Sequence, residues 1–364
     1  MVTGGLLMVA PEALKKFAQD IFTGAGLPPK DADAVASVML WANLRGVDSH
    51  GVQLIPWYVQ AIDIGHMKTK PNIRVEKETP ATLLIEADHA FGAVVTIWAM
   101  KKVMEKARKT GIGWAFIRNN NHQGAMGYYS RMATQEDMAG VAWVCSPVNM
   151  VPFGAKAMGI ANSPIAISVP AKRHFPLTLD MATSVAAAGK IGAALEKGLP
   201  IPPDWALAKD GQPTTDPALA YMLLPFGGTK GSGLSLMLEC LASILVDNPK
   251  LEPVLHGREK PFGSEPIAGN PERVRQHIQN SAVAAIDIAT YTDVERYKDH
   301  IDNTIDGLKG LPRADGVSEI FVPGEPEERT AAERAQRGIP IPEKTAANLR
   351  KVADRFGIEL PSGM

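Results

Sequence analysis

Apolar residues recur at helical spacing from Pro11 to Leu44, and within that stretch PPKDADAVASVMLWANL sets proline and aspartates ahead of an alanine-rich run, the order that opens a helix. The chain is therefore expected to begin with helices. VQLIPWYVQAIDI, after Gly51, predicts a helical stretch interrupted by Pro56, followed by a loop and a β-type segment from Ala81 to Asp88. AVVTIWAMKKVMEKARKTG predicts an amphipathic helix closed by Gly111. The middle of the chain then alternates: a strand at IGWAFIR, a polar loop at NNNHQG, a helix at AMGYYSRMATQED and a strand at GVAWVCS. Further on, FPLTLDM reads as a strand, ATSVAAAGKIGAALEKG as a helix ending at Gly198, GSGLSLMLECLASILVD as the most apolar helix, and AVAAIDIA as a buried strand. Asn248 to Arg275, rich in Pro, Gly and charge, is expected to be a long surface loop near a domain edge or a mobile lid. Beyond Pro323 the chain is expected to run as an extended arm into a terminal helix. The class is mixed α/β.

Composition narrows the partners. With 364 residues and 45% hydrophobic content the chain can bury a large core in two or more packed domains. A formal net charge of -1 provides no global field to gather nucleic acid or an anionic membrane. No uninterrupted apolar stretch reaches the roughly 20 residues of a membrane span. The N-terminal apolar run has no basic residues before it, so a cytoplasmic start is expected and a signal peptide is not. Cys145 and Cys240 stand far apart in apolar surroundings and are expected to be buried, reduced thiols, with no disulfide or zinc framework.

Five segments can carry chemistry. In RGVDSHG, Gly46 can end one helix and Ser49 cap the next, which puts His50 in its first turn with Arg45 at the same junction. His suits proton transfer near neutral pH, and Arg can grip a carboxylate with two parallel hydrogen bonds. Spacing alone favours the plainer reading, a helix-end arginine and a packing histidine. NNNHQGAMG offers His122 in a polar turn at a strand's carboxyl end, as substrate ligand or alternative acid and base, or as a solvated turn histidine. In LPFGGTKGSGLSL the amides around Gly231, Ser232 and Gly233, with Lys230 beside them, form either a phosphate cradle or a tight turn opening a core helix. In LTLDMATSVAA a strand delivers Asp180 to a predicted helix start containing Thr183 and Ser184, where it can cap that helix or accept from a ribose hydroxyl. GAKAMGIANSP is a similar glycine-punctuated loop, with Lys156 and Asn162 facing a pocket or solvent. No GxGxxG follows a strand, which disfavours a Rossmann site, and no HExxH or paired histidine spacing suggests a metal.

Taken in order, WANLRGVDSHGV, NNNHQGAMGYY, GAKAMGIANSPIAISVP, LDMATS, LPFGGTKGSGLSL and EIFVPGEPE closely resemble the malate/L-lactate dehydrogenase family, a non-Rossmann group. That group also includes ureidoglycolate, sulfolactate and diketogulonate dehydrogenases and cyclic ketimine reductases. The likeness runs from about Pro11 to the C-terminus; the leader MVTGGLLMV lies outside it, and the long 248–275 stretch departs from it. It implies an α/β fold with a largely antiparallel mixed sheet in a nucleotide-binding and catalytic domain (81–309). A helical, dimerising domain would be built from both chain ends (1–80 with 310–364). It implies a homodimer that uses NAD or NADP to interconvert a small 2-oxo acid and its L-2-hydroxy acid. The resemblance maps the proton donor onto His50, or onto His122 as in the ureidoglycolate branch, and the carboxylate ligand onto Arg45. For the nucleotide it points to Ser146, to Asp180, Met181, Ala182, Thr183 and Ser184, to Thr229 and Lys230, and to Gly324, Glu325 and Pro326. Two other classes stand beside this: a cofactor-independent lyase or hydrolase acting on a small carboxylate, and a silent dimeric ligand-binding protein.

Overall fold

A computed structural model describes residues 6–261 and 277–364. The chain opens with β1 (Leu6–Val9), α1 (Pro11–Gly24), α2 (Pro29–Leu44), two 3-10 turns (Asp48–His50 and Val52–Leu54) and α3 (Ile55–Asp63). Then come β2 (Arg74–Glu78), β3 (Thr82–Glu86), α4 (Gly92–Thr110), β4 (Ile112–Asn120), α5 (Gly127–Thr134), β5 (Met138–Cys145), β6 (Ile165–Val169), β7 (Leu177–Met181) and α6 (Ala188–Glu196). The last part holds β8 (Ala206–Leu207), β9 (Met222–Leu223), α7 (Thr229–Ala242), α8 (Leu251–Leu255), β10 (Gln279–Asp287), α9 (Val294–Lys309), α10 (Glu325–Arg337), β11 (Ile339–Pro342) and α11 (Glu343–Phe356).

A seven-stranded sheet in the order β2-β3-β4-β10-β5-β6-β7 is the centre of the fold. Every neighbouring pair is antiparallel except β3 and β4. Side chains alternate across its middle strands with the strand period of two. Ala115, Ile117, Ala142, Val144, Val283 and Ala285 enter the main core with α1, α2 and α4. Their neighbours Trp114, Phe116, Trp143, Cys145 and Ala282 turn the other way, against Leu238 and Ala242 of α7. Cover on both faces explains why β10 reads as one apolar run. β1 pairs antiparallel with β11, so the described part of the leader outside the family resemblance, Leu6–Val9, is a strand.

Several sequence expectations change. Pro56 does not interrupt a helix; it sits in the first turn of α3, where its missing N–H costs nothing. The helix expected from Ala182 begins only at Ala188, because Thr183 and Val185 are tied to Asn162 and Leu224 in a bridge with the chain at Pro225. The arm expected beyond Pro323 is α10, a highly charged helix. Cys240 is part-exposed, while Cys145 is buried. Of the 248–275 segment, α8 is described and 262–276 lies outside the described residues. The run Thr229–Val246 is long and apolar enough to cross a membrane by length and composition. Its Ser235, Leu238, Glu239 and Ala242 are nevertheless buried within the protein.

Candidate active site

Helix α2 ends as its sequence requires. Gly46 takes a φ of +76°, its N–H reaches Asn43 O at 3.2 Å, and Val47 N–H reaches Ala42 O at 2.9 Å. The chain then makes the two 3-10 turns, so Ser49 does not cap α3 and His50 is not in its first turn; the Leu54 position caps that helix. Ser49 Oγ lies 3.0 Å from His50 Nδ1 instead. Asn43, buried on α2, clamps the turns: its Oδ1 accepts from Val52 N–H at 2.9 Å and its Nδ2 donates to Asp48 Oδ1 at 2.7 Å. A Cβ on Gly51 would sit 2.2 Å from that Asn43 oxygen, which leaves only glycine as a fit.

His122 follows the end of β4. The residues around it turn inward: Asn120, Asn121 and Gln123 are buried. Asn121 donates to the carbonyls of His66 and His89, while Asn120 and Gln123 donate to Ser281 Oγ. Asn120, Asn121 and Gln123 thus form a buried amide network, and His122, between them in the chain, keeps part of its surface exposed. Its Nδ1 lies 2.7 Å from Tyr58 Oη. Its ring stacks on His50 with centroids 5.5 Å apart and planes 19° from parallel. Trp57 and His277 meet its ring edge-on, at 5.3 and 5.4 Å.

Burial dominates the electrostatics here. It lowers the pKa of His50 to about 4 and of His277 to about 4. It also takes His122 well below the usual histidine range, with further lowering from the repulsion that His277 and His50 exert once acid protonates them. The buried phenol of Tyr58 is raised for the same reason. All three rings are therefore neutral at pH 7. In His50 and His122 a hydroxyl engages Nδ1, whereas Nε2 has no protein partner among the described residues and is not sealed from solvent. Each ring therefore has one nitrogen fixed and one available.

Arg45 faces a different group. Its guanidinium donates to Glu328 Oε1 of α10 at 2.9 Å and lies 4.2 Å from the Trp41 ring centroid. Arg131 of α5 pairs with the same Glu328 oxygen. Burial lowers the Arg45 pKa, against the raising effect of Glu328. Asp180, at the end of β7, caps no helix of its own; its Oδ2 accepts from Gly127 N–H, at the start of α5, at 2.7 Å. It keeps accessible surface, yet the protein around its carboxylate raises its pKa to about 6.

The other predicted residues fall into three places. Ser146 is buried and joined to the imidazoles through Gln279, whose Nε2 lies 3.4 Å from Ser146 Oγ and 2.8 Å from His277 Nε2. Met181 and Ala182 lead to Thr183 and Ser184, both buried; Thr183 O accepts from Phe226 N–H at 3.0 Å, which draws this segment to the loop preceding α7. Thr229 and Lys230 lie exposed in the first turn of α7, which carries no acidic residue. Gly324, Glu325 and Pro326 start α10 beside β7, where Thr178 N–H reaches Pro323 O. The Glu325 carboxylate is held by Lys309 at 2.7 and 2.8 Å and by Arg329 at 2.6 Å.

Sequence reasoning missed Asn43, Trp57, Tyr58 and His277. Trp57 and Tyr58 share a helix with ordinary core residues, and His277 is isolated in the sequence, so only long-range folding brings them to His122.

Comparison with known proteins fits this geometry. The model of the malate/L-lactate dehydrogenase family matches residues 9–350. The chain belongs to that family. It is a dehydrogenase of 2-hydroxy acids, and dehydrogenases of this family use NAD or NADP. The malate/(S)-sulfolactate dehydrogenase of Methanothermus fervidus is 35% identical over 97% of this chain and 99% of its own. The ureidoglycolate dehydrogenase (NAD(+)) of Escherichia coli strain K12 is 29% identical over 92% of this chain and 93% of its own. The sulfolactate dehydrogenase structure from Methanocaldococcus jannaschii superposes with a TM-score of 0.84 at 36% identity, covering 97% of this chain and 98% of that one.

Proposed function

We propose that this dehydrogenase interconverts a small 2-oxo acid and its L-2-hydroxy acid, of malate or L-lactate type, with the His50–His122 pair moving the proton. The observation that carries this reading is the pair itself: two stacked, neutral imidazoles, each with Nδ1 engaged by a hydroxyl and Nε2 available. A neutral ring is the form that accepts a hydroxyl proton as the hydroxy acid is oxidised; in reduction the same nitrogen returns it to the nascent alkoxide. We assign the transfer to His50 and orientation of the oxygen to His122. Arg45 is the proposed ligand of the substrate carboxylate; its guanidinium already accommodates one carboxylate, that of Glu328.

A bound nicotinamide nucleotide supplies the hydride donor or acceptor. The residues at its proposed position suit an anionic cofactor: Lys230 has no ion-pair partner among the described residues, and it stands in a helix first turn free of acidic side chains. Lys230 and Thr229 would take the phosphates, while Ser146, the 180–184 segment and Gly324–Pro326 would hold the rest. Malate, lactate, sulfolactate, ureidoglycolate, a sugar acid and a cyclic imino acid share the same head group, so the family's other substrates are the alternatives to malate or lactate. The division into chain ends (1–80 with 310–364) and a middle (81–309) is retained as a proposal, supported by the pairing of β1 with β11. An exposed apolar row on and after α7, Leu236, Met237, Leu241, Ile244 and Leu245, supports a homodimer. Two free thiols suit the reducing cytoplasm.

His50→Ala tests the assignment: turnover should fall by about 10² to 10⁴ while nucleotide affinity holds. Unchanged turnover would move the proton to His122.

A further inference from the structure

The segment that carries His50 has little internal stiffness. Its two 3-10 turns rest on two short-range backbone hydrogen bonds each: His50 N–H to Val47 O and Gly51 N–H to Asp48 O in the first, and Leu54 N–H to Gly51 O and Ile55 N–H to Val52 O in the second. Such turns have poorer hydrogen-bond geometry than an α-helix, so the ring's position depends on what anchors them from outside. Asn43 supplies one anchor, and α10 supplies the other. Arg334 of α10 places Nη1 2.7 Å from Asp48 Oδ1 and Nη2 3.1 Å from Asp48 Oδ2. The same Nη1 donates to Asn43 O, near the end of α2, at 2.5 Å. One guanidinium therefore ties the helix end to the turn, two residues before His50.

A second contact keeps α10 in place. Glu328, six residues before Arg334 and about 9 Å along the helix axis, binds Arg45 on the other side of Gly46. Thr330 lies between them, its Cγ2 3.3 Å from where a Cβ on Gly46 would stand. Glu328 and Arg334 thus grip the chain on both flanks of Gly46. The Arg334 side chain is 16% exposed and that of Asp48 is 40% exposed, so the paired hydrogen bonds are only half-shielded from water, and it is the two-pronged geometry that fixes the turn. A lysine would keep the charge and lose the fork.

We propose that Arg334 is a positioning residue for proton transfer: through Asp48 it fixes where the His50 ring stands against His122. The catalytic half of this inference rests on the proposed role of His50; the positional half does not. Misplacement of a reacting group by about 1 Å can cost about 10²-fold in rate, so the effect should be visible without any contact between Arg334 and substrate.

The test combines ring NMR of histidine-labelled full-length protein with steady-state kinetics. His50 signals are assigned by their loss in His50→Ala. In Arg334→Ala the His50 ring signals should shift or broaden. Turnover should fall about ten- to a hundredfold, with nucleotide Kd within about twofold. Arg334→Lys should recover part of the turnover. In a His50→Ala background, Arg334→Ala should cost nothing further, because it acts through a ring already removed. Should Arg334→Ala fail to fold, Asp48→Asn carries the same comparison. Unchanged His50 signals in either variant, or a full additional loss in the His50→Ala background, overturn the proposal. If His50→Ala itself leaves turnover intact, the assignment of proton transfer falls, and the ring signals alone then decide the positional claim.

Discussion

His50 and His122 stack at a centroid distance of 5.5 Å, and each ring has its Nδ1 beside a hydroxyl oxygen, Ser49 Oγ for one and Tyr58 Oη for the other. The first consequence is a pH profile. The His50 pKa is lowered to about 4 by burial, so the neutral ring persists well below the pH at which an exposed histidine, with a pKa near ~6.5, would be protonated. For hydroxy-acid oxidation, kcat/KM should hold its value as pH falls from 7 and decline only as pH approaches about 4. A limb centred on the ordinary histidine value would show that the ring is solvated in the free enzyme.

Folding stability should follow the same groups. His50 and His277 have folded pKa values below their unfolded ones, so the unfolded chain binds more protons between about 6.5 and about 4. Their contribution is fully present above the unfolded value and is lost as pH falls through that window. Asp180, raised to about 6, works in the opposite sense. Denaturant midpoints across this range in His277→Gln should fall less with acidification than in the wild type; an equal fall would remove His277 from the account.

The two hydroxyls separate the two rings. If His50 moves the proton, Ser49→Ala should lower turnover more than Tyr58→Phe. Tyr58 is buried, so Tyr58→Phe should cost more stability, roughly 1 kcal/mol by denaturant unfolding. A larger turnover loss in Tyr58→Phe would assign the transfer to His122.

Much of the fold was legible because burial follows period. The helix ending at Gly111 and the apolar run of β10 are single-stretch patterns: an amphipathic stripe with a left-handed glycine cap, and a strand covered on both faces. Helix α10 was not legible, because EPEERTAAERAQR has no apolar stripe; Arg45, Asp48 and Lys309 hold it by charge from distant segments. The late start of α6 has the same kind of cause. Its predicted first residues have helix-compatible composition, but tertiary hydrogen bonds from Thr183 and Val185 hold them extended. At the site, His50 and His122 could be picked out by their motifs, while the Tyr58 and His277 contacts depend on the chain's return through β10 and α3.

Two glycines offer a contrast in packing. Gly51→Ala drives a methyl into Asn43 and should destabilise by about 1–3 kcal/mol, with loss of turnover as the His50 turn shifts. Gly192, inside α6, has nothing within 4 Å of an added Cβ, so Gly192→Ala should be neutral or slightly stabilising. Equal midpoints for the two variants in denaturant would contradict the clamp by Asn43.

The measurement that tests the whole account most directly is calorimetric titration of the purified protein with NADH and NADPH, for the wild type and Lys230→Ala. The account predicts saturable binding of at least one nucleotide by the wild type, about tenfold weaker in Lys230→Ala at low salt, where a point charge on phosphate counts most. Absence of binding to both nucleotides by folded wild-type protein would contradict it.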